Sequence, residues 1–399
     1  MMLSKNGPSA KFTKSEIERL YNSRFVNGNE VHLLRRARES FQTIFDSISA
    51  AEKIICLEFY IFRDDETGTE LATLLKKKAA EGINIYILYD HFGSFETQRK
   101  FWRELRNAGI NVRASHPFKW TSPLRYVHRD HKKLIIIDGV KAFTGGLNIA
   151  NEYRGYYFKK HREGWRDTGI ILEGPIALSL LNEFVKSWII FGGDPIKSCI
   201  SKQQFPAGNN TESKESEKVA ALPIFASSAR GRRKFRRLLY YSINHARQSM
   251  FFTTAYFTPS RRMVDTLTEA ARRGVTVKLL LPFRGDITAA HYAGRSSFTK
   301  LLRRGVEIYN YEGNILHAKT AVFDGCWSII GSANLDFQSL RWNDEGNVGI
   351  LDEEFGQHMT DVFNEDLEHS VKIDLDQWIR RSTCEKIKEH FFVQFRKRL

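Results

Sequence analysis

The sequence predicts an α/β protein built from two similar halves, each with a largely parallel sheet. Three observations predict it. Apolar runs of strand length alternate with helical segments that end on Gly, the rhythm of βαβ units. The same order of segments occurs twice along 399 residues, a length beyond one ordinary core of roughly 150 residues. A short polar constellation also recurs at the same place in each half.

In the first half, KIICLEFYIF (53–62) is an apolar run of strand length. ELATLLKKKAAEG (70–82) has helical spacing and closes on Gly, which suits the left-handed position after a helix. INIYILYD (83–90) is the next strand, QRKFWRELRNAG (98–109) a second Gly-closed helix, and INVRAS (110–115) a third strand. The second half repeats this order. SMFFTTAYF (249–257), VTVKLLLP (275–282) and VEIYNY (306–311) are its strands, and MVDTLTEAARRG (263–274) and SFTKLLRRG (297–305) are its helices. The polar stretch SKQQFPAGNNTESKESEKVA (201–220) reads as a linker. The division is therefore an N-terminal extension (1–30), a first domain (31–200), the linker (201–220), a second domain (221–375) and a C-terminal segment (376–399).

Composition narrows the function. Hydrophobic residues are 42% and charged residues 27%, which excludes a disordered or collagen-like chain. Lys plus Arg is 61 and Asp plus Glu 46, a formal charge of +15 that favours an anionic partner: nucleic acid, an acidic lipid surface or a phosphorylated substrate. Cys56, Cys199, Cys326 and Cys384 are scattered without a CxxC pair, so reduced thiols are expected, with no zinc knuckle or disulfide framework. The N-terminus lacks an apolar signal core, and no run of 18 apolar residues occurs. Any membrane contact is expected from the surface.

The constellation that carries chemistry is H-x-K-x4-D. It occurs as His131, Lys133 and Asp138, and again as His317, Lys319 and Asp324. Each copy has a Gly 14 residues after its His and an Asn 17 residues after it: Gly145 and Asn148, then Gly331 and Asn334. One copy would arise by chance in roughly one chain in twenty; two copies at matching places in a repeat are a specific signal. Strand alternation puts His and Lys, two apart, on one face, so both reach one pocket. A phosphodiester needs its charge offset during attack, and Lys133, Lys319, Asn148, Asn334 and the Ser332 hydroxyl supply donors for that. Imidazole titrates near neutrality, so one His suits a nucleophile and the other a protonated acid. A phosphohistidine would split the transfer into two displacements.

Asp167 and Glu345 follow their motifs by 36 and 28 residues, each before an alternating strand. A carboxylate on an imidazole N–H would fix its tautomer; a surface ion pair is the plainer alternative. Asp138 and Asp324 belong to the repeated catalytic signature, yet each precedes Gly, and a structural D-G turn is favoured over direct acid–base work. His32, His91, His128, His161, His245 and His291 have no counterpart pattern. No HExxH, GxGxxG or Walker-type loop occurs, so neither a metal nor a nucleotide cofactor is expected.

The paired motifs resemble the phospholipase D superfamily, over about residues 30 to 375. EFYIFRDDETG (58–68), GGLNIANEY (145–153), WRD…EGP (165–175) and GSANLD (331–336) are similar to bacterial cardiolipin synthases of the short branch without transmembrane helices. The resemblance implies two α/β/α sandwich domains related by a pseudo-twofold axis around one active site. It implies a phosphatidyl-histidine intermediate and no metal, with His131 as nucleophile and His317 as general acid. It also implies that Asp167 and Glu345 orient the histidines and that Asn148, Ser332 and Asn334 hold phosphate. Gly146 stands where the second copy has Ser332, so the site is asymmetric.

The expected function is a phosphatidyltransferase that makes cardiolipin and glycerol from phosphatidylglycerol, using an anionic phospholipid at a peripheral membrane surface on the cytoplasmic side. A phospholipase D-type hydrolase is the runner-up. A nucleic-acid phosphodiesterase is a third reading, disfavoured by two motifs in one chain. No obligate protein partner is indicated. Within 376–399, Ile387, Phe391, Phe395 and Leu399 recur every four residues among Lys and Arg, a basic amphipathic helix able to lie in a membrane interface or to pack on the body.

Overall fold

A computed structural model describes residues 12–118, 128–155, 163–196 and 218–396. The strands are β1 Val26–Leu34, β2 Ile54–Phe59, β3 Asn84–Asp90, β4 Asn111–Ser115, β5 Lys133–Ile137, β6 Lys141–Gly145 and β7 Gly169–Glu173 in the first half. In the second they are β8 Val219–Phe225, β9 Ser249–Thr253, β10 Thr276–Pro282, β11 Glu307–Tyr311, β12 Thr320–Phe323, β13 Trp327–Gly331, β14 Gly346–Leu351 and β15 Ser370–Lys372. Among the described residues they form one sheet in the order β15-β11-β10-β9-β12-β13-β14-β8-β1-β7-β6-β5-β2-β3-β4. Read outward from the central β1–β8 pair, both halves have the same order, with β15 added at the edge of the second. This is the pseudo-twofold arrangement of two α/β domains.

The helices repeat as the strands do. Helix Glu66–Ala80 begins at Asp65, whose carboxylate accepts from the Gly68 N–H, and Gly82 follows it at φ +89°. Its counterpart Arg261–Arg272 begins at Ser260, whose hydroxyl accepts from the Met263 N–H, and Gly274 follows at φ +91°. A side-chain oxygen satisfies an orphan amide at one end, and a residue free to adopt positive φ ends the other.

The sheet is mixed, which corrects the expectation of largely parallel pairing. Among the described strand pairs, only β2–β3, β3–β4, β9–β10 and β10–β11 run parallel. Parallel neighbours need a crossover helix, whereas β5–β6 and β12–β13 are joined by tight turns and must be antiparallel. The Asp-Gly pairs that make those turns were visible in the sequence.

Among the described residues, three large cores hold the layers, with a smaller cluster around Leu280, Leu316 and Phe363. One lies under the outer face of the first half, around Phe41, Leu57, Leu71 and Tyr153. A second lies under the outer face of the second half, around Phe235, Leu267, Phe323 and Trp327. The third is shared. Ile54, Ile136 and Leu180 of the first half pack there with Ile330, Val348 and Met359 of the second.

Two boundaries differ from the expectation. Residues 12–30 are embedded: helix Lys14–Tyr21 buries Ile17 and Tyr21 in the second half's core, and the Tyr21 hydroxyl donates to the Phe225 carbonyl at 2.8 Å. Residues 376–396 form two short helices, Leu375–Ile379 and Thr383–Val393, in place of one, because Ser382 caps a new start. The latter packs through Phe392 on Tyr292 and through buried Glu389, bound by Arg295 and Arg381. Its Ile387, Phe391 and Phe395 stay exposed. Most of the expected linker, residues 201–217, and Lys397, Arg398 and Leu399 lie outside the described residues.

Candidate active site

Lys133 opens β5 opposite Phe59, the last residue of β2, and Thr320 of β12 pairs Thr253, the last residue of β9. Both motifs therefore sit at the carboxyl ends of the parallel strands, where crossover loops leave a crevice. Alternation turns Lys132 away from the pocket. Its ammonium is buried at 2.5 Å from Glu58, 2.9 Å from Ser187 and 3.2 Å from Asp130, which anchors the strand from behind. His131 and Lys133 face the pocket, and both are buried.

Each imidazole is held by a carboxylate from the other half. His131 Nδ1 lies 3.1 Å from Glu345 Oε2, and His317 Nδ1 lies 2.7 Å from Asp167 Oδ2. The backbone makes the exchange. The His131 N–H donates to the Asp344 carbonyl at 2.8 Å, and the His317 N–H donates to the Arg166 carbonyl at 2.7 Å. In each case the residue just before one half's carboxylate bridges to the residue just before the other half's histidine. The carboxylate fixes Nδ1–H as the donor and leaves Nε2 as the reactive nitrogen. Lys319 Nζ also lies 2.6 Å from His317 Nδ1. One Nδ1 cannot donate to a carboxylate and accept from an ammonium at once, and the ammonium's acceptor is the His317 carbonyl beside it. Lys133 likewise donates to the His131 carbonyl, at 2.6 Å.

The remaining donors surround this pair. Ser332 Oγ donates to Glu345 and accepts from the Gly346 N–H at 3.0 Å. A side chain at Gly146 would meet Asp167 Oδ1 at 2.0 Å. The shorter carboxylate of Asp167 thus occupies the space that a hydroxyl takes in the other half, which explains Gly146 opposite Ser332. Asn148 accepts the Ile61 N–H through Oδ1 at 3.0 Å, while its buried Nδ2 has no hydrogen-bond partner among the described residues. Asn334 Oδ1 accepts from Thr254 Oγ1 at 3.2 Å and from the Tyr256 N–H at 3.3 Å.

Asp138 and Asp324 stand apart from this pocket, which corrects their inclusion in the catalytic signature. Asp138 accepts from the N–H groups of Glu52, Lys53 and Ile54 at 2.8–2.9 Å. Asp324 accepts from those of Arg247, Gln248 and Ser249 at 2.8–3.1 Å. Both adopt positive φ, 55° and 50°, and both end their strand. Their carboxylates are fully used in holding the loop before β2 and the loop before β9.

Burial dominates the electrostatics. It pushes Lys133 down to about 7, with repulsion from Lys319 adding to it, and Lys319 down to about 8. His317 is pushed down to about 4 by burial and by Lys319. His131 is lowered by burial and by Lys133. Glu345 is raised by burial, but His131, Lys133 and Ser332 together more than offset this and its carboxyl ends below the usual range. Lys133 acts on His317 and Lys319 acts on His131, so charges of the two halves share one pocket. Burial first, and the lysines after it, lower both imidazoles, and a bound anion would act in the opposite direction on each.

Sequence reasoning missed the aromatic walls. The Tyr60 ring lies 4.9 Å from His131, and the Tyr153 ring 5.1 Å and Trp165 ring 5.4 Å from His317. Tyr60 and Tyr256 occupy matching places in EFYIF and TAYF, a repeat that would have found them. It also missed Arg166, bidentate to Asp366 at 2.8 and 2.7 Å, and Asp344, held by Arg232 at 2.9 Å and His116 at 3.0 Å. These lie next to the orienting carboxylates and brace the exchange.

Two α/β halves of matching topology around one pocket of paired His and Lys define a phospholipase D-like protein. More particularly, the chain belongs to the family described as cardiolipin synthase, PLD-like domain, which matches residues 44–185 and 239–367. It is 34% identical over 364 residues to "Cardiolipin synthase 2" of Bacillus anthracis, covering 90% of this chain and 69% of that one. It is 32% identical to "Major cardiolipin synthase ClsA" of Bacillus subtilis, covering 92% and 74%. To the cardiolipin synthase of Clostridium perfringens (strain 13) it is 33% identical, covering 92% and 76%. Phosphatidylserine synthase of Haemophilus influenzae shares the fold, with TM-score 0.72 at 15% identity over 97% of this chain and all of that one.

Proposed function

We infer that the protein is a phosphatidyltransferase that forms cardiolipin from two molecules of phosphatidylglycerol. The observation that carries this reading is the exchange of carboxylates, which leaves two Nε2 atoms and two lysines of opposite halves for one phosphorus. The relatives named above supply the substrate.

In the proposed reaction, His131 Nε2 attacks phosphorus and the P–O bond to glycerol breaks. His317 gives the leaving oxygen its proton. A hydroxyl of the second phosphatidylglycerol then attacks, the P–N bond breaks, and its proton returns to His317. Two phosphatidylglycerols thus give one cardiolipin and one glycerol. Lys133, Lys319, Asn148, Asn334 and Ser332 offset the charge on the phosphoryl oxygens, and Asp167 and Glu345 keep the tautomers. Nothing in this scheme passes through Asp138 or Asp324.

The reading places the crevice against an anionic bilayer, with the chain peripheral to it. Among the described residues no helix is long and apolar enough to cross a membrane. The matching loops after β3 and β10 expose Phe92, Phe95, Phe283 and Ile287 beside the crevice, and the last helix adds Ile387 and Phe391.

The test is incubation with phosphatidylglycerol vesicles. Cardiolipin and glycerol in equal amounts are expected, and phosphatidic acid as the sole product would show a hydrolase. H131A is expected to abolish both turnover and any covalent phosphatidyl adduct. H317A is expected to regain turnover on a phosphodiester with a nitrophenol leaving group, which needs no acid. The opposite pattern would exchange the two roles.

A further inference from the structure

The groups assigned above to the phosphate are donors, two ammoniums and two amides, with the Ser332 hydroxyl beside them given to Glu345. Asp167 and Glu345, the carboxylates nearest the imidazoles, are committed to Nδ1 atoms. A molecule that attacks through one hydroxyl and carries another needs an acceptor to orient that second O–H, and neither of these carboxylates is free to provide it.

Asp286 is free. It lies on the loop after β10, at the carboxyl end of the sheet, and is exposed. Its Oδ2 accepts the Tyr256 hydroxyl at 2.6 Å. No described residue donates to its Oδ1. Tyr256 belongs to the pocket: its N–H donates to Asn334 Oδ1, and its ring lies 6.4 Å from His317. Burial and the Asp286 charge push the Tyr256 hydroxyl well up, so it stays a donor. The same carboxylate acts on Lys319 and on Tyr60 and Tyr153, tyrosines contributed by the first half. Its hydrogen bond to Tyr256, whose ring lies 6.4 Å from His317, puts it on the His317 side of the pocket. A negative charge there opposes binding of the phosphate, and nothing in the phosphoryl chemistry requires it.

We propose that Asp286, set by Tyr256, is the subsite that binds the second hydroxyl of the incoming alcohol and so selects a vicinal diol headgroup as acceptor. This rests on the transfer reading above. The primary hydroxyl oxygen of the acceptor bonds to phosphorus as the P–Nε2 bond breaks, and its proton passes to the other imidazole. Asp286 accepts a hydrogen bond from the adjacent hydroxyl and takes no proton. Water has no second hydroxyl to offer, so the subsite also favours transfer over hydrolysis.

The experiment uses the full chain with phosphatidylglycerol vesicles and measures cardiolipin formed, phosphatidic acid formed and phosphatidylglycerol consumed. In D286N and D286A the ratio of cardiolipin to phosphatidic acid is expected to fall at least tenfold, with consumption falling less than threefold. Y256F, which leaves the carboxylate but frees its position, is expected to lie between. In a second arm, 1,2-propanediol and 1-propanol compete as added acceptors. The wild type is expected to prefer the diol at least tenfold, and D286N to lose that preference. A ratio unchanged in D286N, or transfer and consumption falling in step, overturns the subsite while leaving the transferase reading intact. A wild-type preference for ethanolamine over the diol would overturn it too, by showing recognition of an ammonium. A wild type that yields only phosphatidic acid overturns the transferase reading and the subsite with it.

Discussion

At the scale of single residues, the pocket is a set of cations made uncomfortable by burial. Lys133 at about 7 and Lys319 at about 8 are both below the ordinary lysine range. An anionic phosphodiester favours their charged forms, so binding must raise both values and take up protons. Between about pH 6.5 and 9, each bound anion is therefore expected to bring protons with it. Anion affinity should fall as pH rises through that window. Calorimetry of a non-reacting phosphodiester in buffers of different ionisation enthalpy reads the uptake directly, and K133M should reduce it. Release of protons, or no exchange, would mean that the lysines are already charged without the anion. Much of this pocket was legible in the sequence, because His131, Lys133, His317 and Lys319 repeat at fixed spacing and spacing on a strand dictates a shared face. The exchange of Asp167 and Glu345 was not legible. It depends on two cross-half bridges whose partners lie 214 and 150 residues apart, and no local pattern encodes such a contact.

At the scale of elements, the two Asp-Gly turns carry a motif position that the repeat alone made look chemical. Each aspartate gathers the N–H groups of three successive residues, so the carboxylate functions as a cap for a neighbouring loop. Bonds to a charged acceptor contribute roughly 1.5–3 kcal/mol each and overlap in so tight a cluster. D138A and D324A are each expected to lose about 2–4 kcal/mol of stability, read as a lower melting temperature. Turnover per folded molecule should stay within threefold of wild type. A thousandfold loss of kcat in a stably folded variant would return these residues to the catalytic set. The alternation of strands and Gly-closed helices identified the parallel parts of each half. The antiparallel parts were missed because short apolar strands carry no sign of direction. Only the turn between them does, and an Asp-Gly pair marks a turn without saying which strands it joins.

At the scale of the whole molecule, one continuous sheet and one shared core make the site a property of both halves together. The crevice also opens on a surface that is apolar where it need not be. Phe95 is 67% exposed, Ile387 63% and Phe391 57%, and all three lie on elements that rim or adjoin the carboxyl ends of the strands. Their neighbours include Lys386 and Lys388, and the chain as a whole carries a formal +15. The last helix is bound to the body by one side only, through Glu389 and Phe392, which leaves its Ile387 and Phe391 stripe toward solvent. A lipid substrate must bring its phosphate to buried histidines while its acyl chains stay in the bilayer. The rim that meets the bilayer should therefore insert apolar side chains and attract anionic headgroups. Replacing Ile387 and Phe391 together by Glu removes about 2–4 kcal/mol of apolar insertion and adds repulsion. Sedimentation with phosphatidylglycerol vesicles is expected to show at least a thirtyfold weaker affinity. Turnover of a short-chain, water-soluble phosphatidylglycerol should be unchanged, since the double variant leaves the pocket intact. Equal loss on the soluble and the vesicular substrate would assign the helix a role in folding. Undiminished vesicle binding would place the contact elsewhere on the surface.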